Sequence, residues 1–373
     1  MRKSPDLKLN AGGNTGQSET VTGAGTPRGP LTSTIAEDTV AAVLGLVIVA
    51  AVYFDGRAHI LGLPDSFFTP WHGFLYGGLL LLVAWLATIS RSTARRHRVE
   101  RAGRIPAGYG PAVVGAGLFL AGGVGDMIWH QILGVESGID ALLSPTHLLL
   151  FAGASLLLSG PVRSFGLRIG RRSSANLLPP TLGVVGIAGI AAFALSFLSG
   201  FITDYATIAV GHAPEGTDEH NVAEALASAG VASYLLTSLV MVVPLVFLVR
   251  SRAAVPGTVT GVVGFLALMA TVLVDFRTLG TVYTAVIAAA VVDVLLLVLR
   301  RFHLPMRGQE LVVASALPLL VWPGQLLATN AVKGVQWSAE MVTGMPILAA
   351  LISFGAVFVL SAPAQTGHRR NPM

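Results

Sequence analysis

A short stretch of the chain carries side chains that could together bind a metal ion. Asp55 is followed four residues later by His59, and a loop then leads through Thr69-Pro70 to His72. Imidazole and carboxylate groups are the usual protein ligands of copper, zinc and non-haem iron. The chain has no cysteine, so thiolate sites and cysteine nucleophiles are excluded.

A second stretch repeats this pattern further along the chain. Asp126 is followed four residues later by His130, and Ser144-Pro145 then precedes His147. Both stretches continue with an aromatic residue, a small residue and glycine, and the interval between the two histidines is four residues longer in the second. We interpret the pair as a parallel internal repeat of two helical hairpins.

The spacing also predicts how each hairpin places its side chains. Aspartate and histidine four residues apart share one face of a helix. Thr69 and Ser144 are good helix N-caps, and the proline that follows each suits the first helical position. His72 and His147 then fall in a first turn, where the helix dipole favours the neutral imidazole that a metal needs.

A structural interpretation of the same residues stands beside the metal hypothesis. Histidines near a membrane surface can cap helices or form hydrogen bonds with a neighbouring aspartate. The repetition favours ligands, because polar groups near lipid are costly to bury and need partners.

These residues lie in a chain of membrane-protein composition. Of its 373 residues 53% are hydrophobic and 12% charged, and its mean hydropathy is +0.72. Long apolar segments of this kind predict an all-α polytopic bundle. We expect a disordered cytoplasmic tail at 1–36, a bundle over 37–362 that includes the hairpin repeat at 37–90 and 111–162, and a cytoplasmic tail at 363–373. The bundle is expected to have about ten transmembrane helices, near 37–54, 72–90, 111–129, 147–162, 179–203, 224–249, 257–275, 279–299, 309–329 and 341–361.

The basic residues predict the orientation. All but three of the 24 lysines and arginines fall on one set of loops, and the exceptions are Arg57, Arg277 and Lys333. The positive-inside rule then places both termini in the cytoplasm and the histidine-bearing loops outside a cell membrane. Basic residues scattered over short loops do not form a nucleic-acid-binding surface, so nucleic acid is not an expected partner.

Two other places provide secondary candidates. The third outer loop has Asp204, His212 and His220, which could capture a cation or belong to an ordinary solvated loop. Asp293 lies within an apolar run, where an acid often marks an ion or proton path. The alternative is that Asp293 extends towards the basic residues at the cytoplasmic end of its helix.

The first stretch has the spacing Asp-x3-His-x12-His, which resembles the metal-binding motif of the C subunit of particulate methane and ammonia monooxygenases. The resemblance implies a copper site formed by Asp55, His59 and His72 near the outer side of the membrane. Asp126, His130 and His147 match this motif less closely, because their second interval is longer. The similarity covers fewer than about twenty residues of the chain.

Three hypotheses for function follow. The first is a metal-binding membrane protein, monooxygenase-like or metal-handling, with copper as cofactor and zinc, iron or haem as alternatives. The second is a secondary transporter or channel that uses a membrane-embedded carboxylate and histidines. The third is a structural membrane subunit without metal, associated with partner subunits in the bilayer. No phosphate-binding loop, dinucleotide fingerprint or nucleophile elbow occurs in the sequence.

Overall fold

The regular structure of the described residues is entirely helical. In the computed structural model, eleven α-helices follow one another along these residues. They are α1 (Ile35–Ile60), α2 (Pro70–Arg96), α3 (Gly110–Leu133), α4 (Ile139–Leu143), α5 (Pro145–Leu167), α6 (Leu178–Ala194), α7 (Asp218–Arg250), α8 (Thr258–Leu273), α9 (Leu279–Arg301), α10 (Met306–Lys333) and α11 (Ala339–Leu360).

The structure describes residues 30–63, 69–97, 105–134, 136, 138–168, 174–210 and 213–360. The predicted tail at 363–373 and residues 1–29 of the predicted tail at 1–36 lie outside these ranges. The chain packs against the bundle before α1 begins, since Ala107 N donates to Leu31 O at 2.7 Å and Ser33 is buried.

Eight of the helices are long and apolar enough to cross a membrane, which confirms an integral membrane protein of the helical class. They are α1, α2, α3, α5, α7, α9, α10 and α11. The other two predicted spans correspond to the apolar helices α6 and α8, of 17 and 16 residues. At 1.5 Å per residue these two are about 25 Å long, a little less than the hydrocarbon core.

The start of α1 is fixed by its own residues and by α2. Thr34 and Glu37 form a capping box, in which Thr34 Oγ1 accepts from Glu37 N and Glu37 Oε2 accepts from Thr34 N. Arg96 near the end of α2 donates to both oxygens of Glu37 at 2.8 Å. Because the end of one helix is tied to the start of the other, α1 and α2 form an antiparallel hairpin, the first hairpin.

Helices α3 and α5 form the second hairpin and approach each other closely at glycine. A Cβ atom on Gly115 would lie 2.5 Å from Leu157 N, and one on Gly153 would lie 2.5 Å from Phe119 N. Small residues let helix backbones pack closely in membrane bundles. This contact fixes the position of α5 against α3, and with it the relative placement of His147 and Asp126.

The predicted span 179–203 is not one continuous helix. Helix α6 ends at Ala194, and the chain continues through a 3₁₀ turn at Ser196–Leu198 into irregular backbone that stays buried around Gly200. Gly200 N donates to Thr237 Oγ1 at 2.9 Å. Non-helical backbone is tolerated at membrane depth where it is enclosed by protein and hydrogen-bonded, as this segment is.

Packing at Gly115 generates the first prediction. Gly115→Ala should lower the free energy of unfolding by about 1–3 kcal/mol, because the new methyl group would overlap the backbone of α5. Thermal unfolding of the full chain in detergent measures the change.

Gly117→Ala is the matched control two residues along the same helix. A Cβ atom on Gly117 meets nothing within 4 Å, so this variant should unfold at or slightly above the wild-type temperature. Equal destabilisation by both substitutions would show that the close α3–α5 contact is not the cause.

Candidate metal site

The first hairpin brings Asp55, His59 and His72 together. Asp55 Oδ1 lies 3.2 Å from His72 Nε2, and Asp55 Oδ2 lies 3.7 Å from His59 Nε2. Within the part of the chain that the structure describes, these residues are the one group of three whose ligand atoms all lie within 4.8 Å of one another. Neighbouring ligand atoms around a tetrahedral metal with bonds of about 2.0–2.2 Å stand about 3.3–3.6 Å apart, and the two carboxylate–imidazole distances are close to these values.

Local structure explains how these side chains meet. Asp55 and His59 lie four residues apart near the end of α1 and therefore share a face of that helix. His72 is the third residue of α2, where Pro70 occupies the first position. His72 Nδ1 lies 3.0 Å from Thr69 Oγ1, which leaves Nε2 towards Asp55.

The second hairpin brings its three residues near one another with different geometry. His130 Nε2 lies 3.8 Å from Asp126 Oδ1, and the atom of His147 nearest that oxygen is Nδ1, at 3.5 Å. The same Nδ1 lies 2.6 Å from Ser144 Oγ. The ligand atoms of these three residues do not all lie within 4.8 Å of one another. Thus His72 faces its aspartate through Nε2, whereas His147 faces its aspartate through Nδ1.

Glu136 is a fourth chemical group in the second hairpin, and the sequence pattern did not single it out. Its Oε2 lies 3.4 Å from His130 Nε2, and its other carboxylate oxygen accepts a hydrogen bond from Trp129 Nε1. Thr146 also contributes, since its hydroxyl donates to Asp126 Oδ1 at 2.8 Å. The first hairpin has an acid at the same place in the sequence, since Asp65 follows His59 by six residues as Glu136 follows His130, but Asp65 lies outside the described residues.

Both hairpins line a single cavity of 620 Å³. The sequence could not tell whether the two sets face each other, and in the structure both line this one cavity. Its polar lining consists chiefly of Asp55, His59, His72, Tyr76, Asp126, His130, Glu136 and His147. Most of the remaining wall is apolar and includes Phe119, Phe151, Phe193 and Phe197, the last from the 3₁₀ turn after α6.

The candidates of the third loop lie apart from this cavity. Asp204 forms an ion pair with Lys333 at 2.5 Å. His220 lies in the first turn of α7, and its Nδ1 is 3.2 Å from Ala213 O in the preceding loop. Neither residue lines the cavity, and His212 lies outside the described residues.

Asp293 is buried and has three hydrogen-bond donors at the start of α8. Its carboxylate accepts from Val259 N at 3.3 Å, Thr260 N at 2.9 Å and Thr260 Oγ1 at 2.7 Å. Backbone N–H groups in the first turn of a helix lack intrahelical partners, and a carboxylate there is favourable. Capping of α8 therefore accounts for this buried acid.

The first hairpin offers two imidazoles and one carboxylate that line the cavity. A set of three protein ligands leaves at least one coordination position for water or a small molecule, as in catalytic sites, whereas structural zinc sites use four protein ligands. The chain matches no family model, no curated protein and no solved structure. The chemistry of the site therefore has to be argued from its residues.

The role of Asp293 leads to a prediction about stability. Asp293→Ala should lower the free energy of unfolding by about 1–3 kcal/mol, because it leaves buried backbone N–H groups of α8 without an acceptor. Thermal unfolding in detergent measures the loss.

Asp204→Ala is the control for Asp293→Ala. It removes the partially exposed ion pair with Lys333 and should change the stability by less than about 1 kcal/mol. If the two variants were equally stable, the hydrogen bonds from α8 to Asp293 would not contribute to stability as proposed.

Proposed function

We propose that the protein is an integral membrane metal-binding protein whose metal site is formed by Asp55, His59 and His72. The observation that carries this proposal is the meeting of the three ligand atoms within 4.8 Å beside a cavity of 620 Å³. The open coordination positions would face that cavity. This favours a metal that meets a small molecule over a metal that only holds the fold together.

Copper is the metal that we propose. The donor set contains only nitrogen and oxygen, and among first-row divalent ions such sites bind copper most tightly. The Asp-x3-His-x12-His spacing, which resembles the copper motif of the monooxygenase C subunit, also favours copper. Zinc and iron use the same side chains, so competition between metals is part of the test.

The second hairpin has a supporting role in this proposal. Asp126, His130, His147 and Glu136 line the cavity that the first hairpin borders, and they add two carboxylates and two imidazoles to it. We propose that they contact whatever occupies the open positions of the metal. Their own ligand atoms are spread more widely than those of the first hairpin.

We further propose a topology with ten membrane crossings, cytoplasmic termini and the two hairpins as copies of a parallel repeat. Helices α6 and α8 would complete the count with the adjoining segments, and the distribution of basic residues supports the orientation. The metal-motif ends of α1 and α3 would then lie on the extracytoplasmic side of the cell membrane.

Metal analysis tests the proposed site directly. Full-length protein purified in detergent and exposed to Cu(II) should retain one copper per chain, and His72→Ala should lose it because one of three ligands is gone. His147→Ala should keep the copper but alter its spectrum, because His147 lines the cavity without belonging to the first group.

His303→Ala is the matched control, since His303 is exposed in the loop between α9 and α10. This variant should bind copper as the wild type does. Copper loss in the control as well would indicate nonspecific binding. A metal-free wild type together with an ion flux that Asp293→Asn abolishes would favour a transporter, and a metal-free protein without flux would favour a structural subunit.

Cysteine labelling tests the orientation, because the natural chain has no cysteine to remove. Glu215→Cys and His303→Cys both replace exposed residues, on opposite sides in the proposed topology. A membrane-impermeant maleimide applied to intact cells should label Glu215→Cys, and it should label His303→Cys only after permeabilisation. The reverse pattern would overturn the orientation.

A further inference from the structure

We infer that Thr69 is the residue that positions His72 for metal binding through Nε2. This inference rests on the proposed metal site. Thr69 would not touch the metal, and it would act through the hydrogen bond between its hydroxyl and His72 Nδ1.

Both N-cap hydroxyl groups lie close to Nδ1 of the histidine three residues on, at 3.0 Å for Thr69 and 2.6 Å for Ser144, but only Ser144 also caps its helix. Ser144 Oγ accepts from His147 N at 3.3 Å and so caps α5 as its position predicts. Thr69 also occupies an N-cap position with extended backbone, but its side chain forms no capping hydrogen bond. Helix α2 thus lacks a stabilising side-chain cap that its sequence allows.

The contact with the ring decides which nitrogen can bind a metal. A metal at Nε2 of His72 requires the ring proton on Nδ1, and Thr69 Oγ1 is placed to accept it. Such partners fix the tautomer and orientation of a ligating histidine. Thr69 and His72 are both largely buried, at 8% and 9% exposed, so this arrangement is shielded from competing water.

The second hairpin shows what the alternative ring orientation produces. There Nδ1 of His147 lies close to both Ser144 Oγ and Asp126 Oδ1, so the ring does not present Nε2 to its aspartate. The residues of the second hairpin do not meet as a metal-ligand group of three. The ring of His72 therefore faces its aspartate through the nitrogen opposite the hydroxyl contact, whereas the ring of His147 contacts both the hydroxyl and the aspartate through one nitrogen.

Copper titration of four full-length proteins in detergent tests the inference: wild type, Thr69→Val, Thr69→Ser and Ser144→Ala. Thr69→Val preserves the shape of the side chain and removes the acceptor, so the Kd for Cu(II) should rise about 10- to 100-fold. Thr69→Ser restores the hydroxyl and should return the affinity close to the wild-type value. Ser144→Ala should lower the unfolding temperature through the lost cap and leave copper affinity unchanged.

Electron paramagnetic resonance of the bound Cu(II) provides a readout that a general loss of stability would not move. The nitrogen hyperfine pattern should change in Thr69→Val and recover in Thr69→Ser. If Thr69→Val does not accumulate, Thr69→Ala removes the same acceptor and takes its place.

The outcomes separate this inference from the proposed function. A wild type that binds no copper overturns the metal site itself. A wild type that binds copper, with Thr69→Val equal to it in affinity and spectrum, overturns only the role of Thr69. Equal loss of affinity in Thr69→Val and Ser144→Ala also overturns it, because a hydroxyl outside the first hairpin would then matter as much as that of Thr69.

Discussion

The need to satisfy every buried polar group governs this bundle, because the protein interior and the surrounding lipid give an unpaired charge no solvation. Asp38 is fully buried and accepts hydrogen bonds from Ser33 and Tyr109. It also forms an ion pair with Arg168, and these contacts connect the start of α1 to α3 and α5. Glu310 is paired with Arg250, and Asp293 caps α8. Each of these acids is explained by a partner that stabilises the fold. In the cavity, by contrast, carboxylates and imidazoles are concentrated at separations that suit a bound ion.

The cavity depends on features that lie far apart in the sequence. Close approach of α3 and α5 at Gly115 and Gly153 sets the second hairpin, and the ion pair of Arg96 with Glu37 sets the first. The irregular segment after α6 adds Phe197 to the wall. The chemistry proposed for Asp55, His59 and His72 therefore requires this whole end of the bundle, and an isolated hairpin would have no cavity beside its ligands.

Two stretches with the same pattern have acquired different local structures. Thr69 and Ser144 both contact an imidazole ring, but only Ser144 also caps its helix. A missing helix cap that brings no gain in stability, such as the one at Thr69, is expected at functional sites. In the second hairpin Glu136 accepts a hydrogen bond from Trp129 and lies close to His130. The two hairpins are thus better described as complementary walls of one cavity than as two equivalent sites.

The sequence by itself determined the helical membrane class, because long apolar runs without charges have few other stable structures. It also determined that Asp55 and His59 share a helix face and that His72 lies in a first turn, since both follow from helical periodicity and the Thr-Pro start. Only the tertiary structure decided that both hairpins face one cavity, that Glu136 joins the second, and that the span expected at 179–203 breaks after Ala194. Those outcomes depend on packing between helices that are distant in the sequence, which residue spacing does not encode.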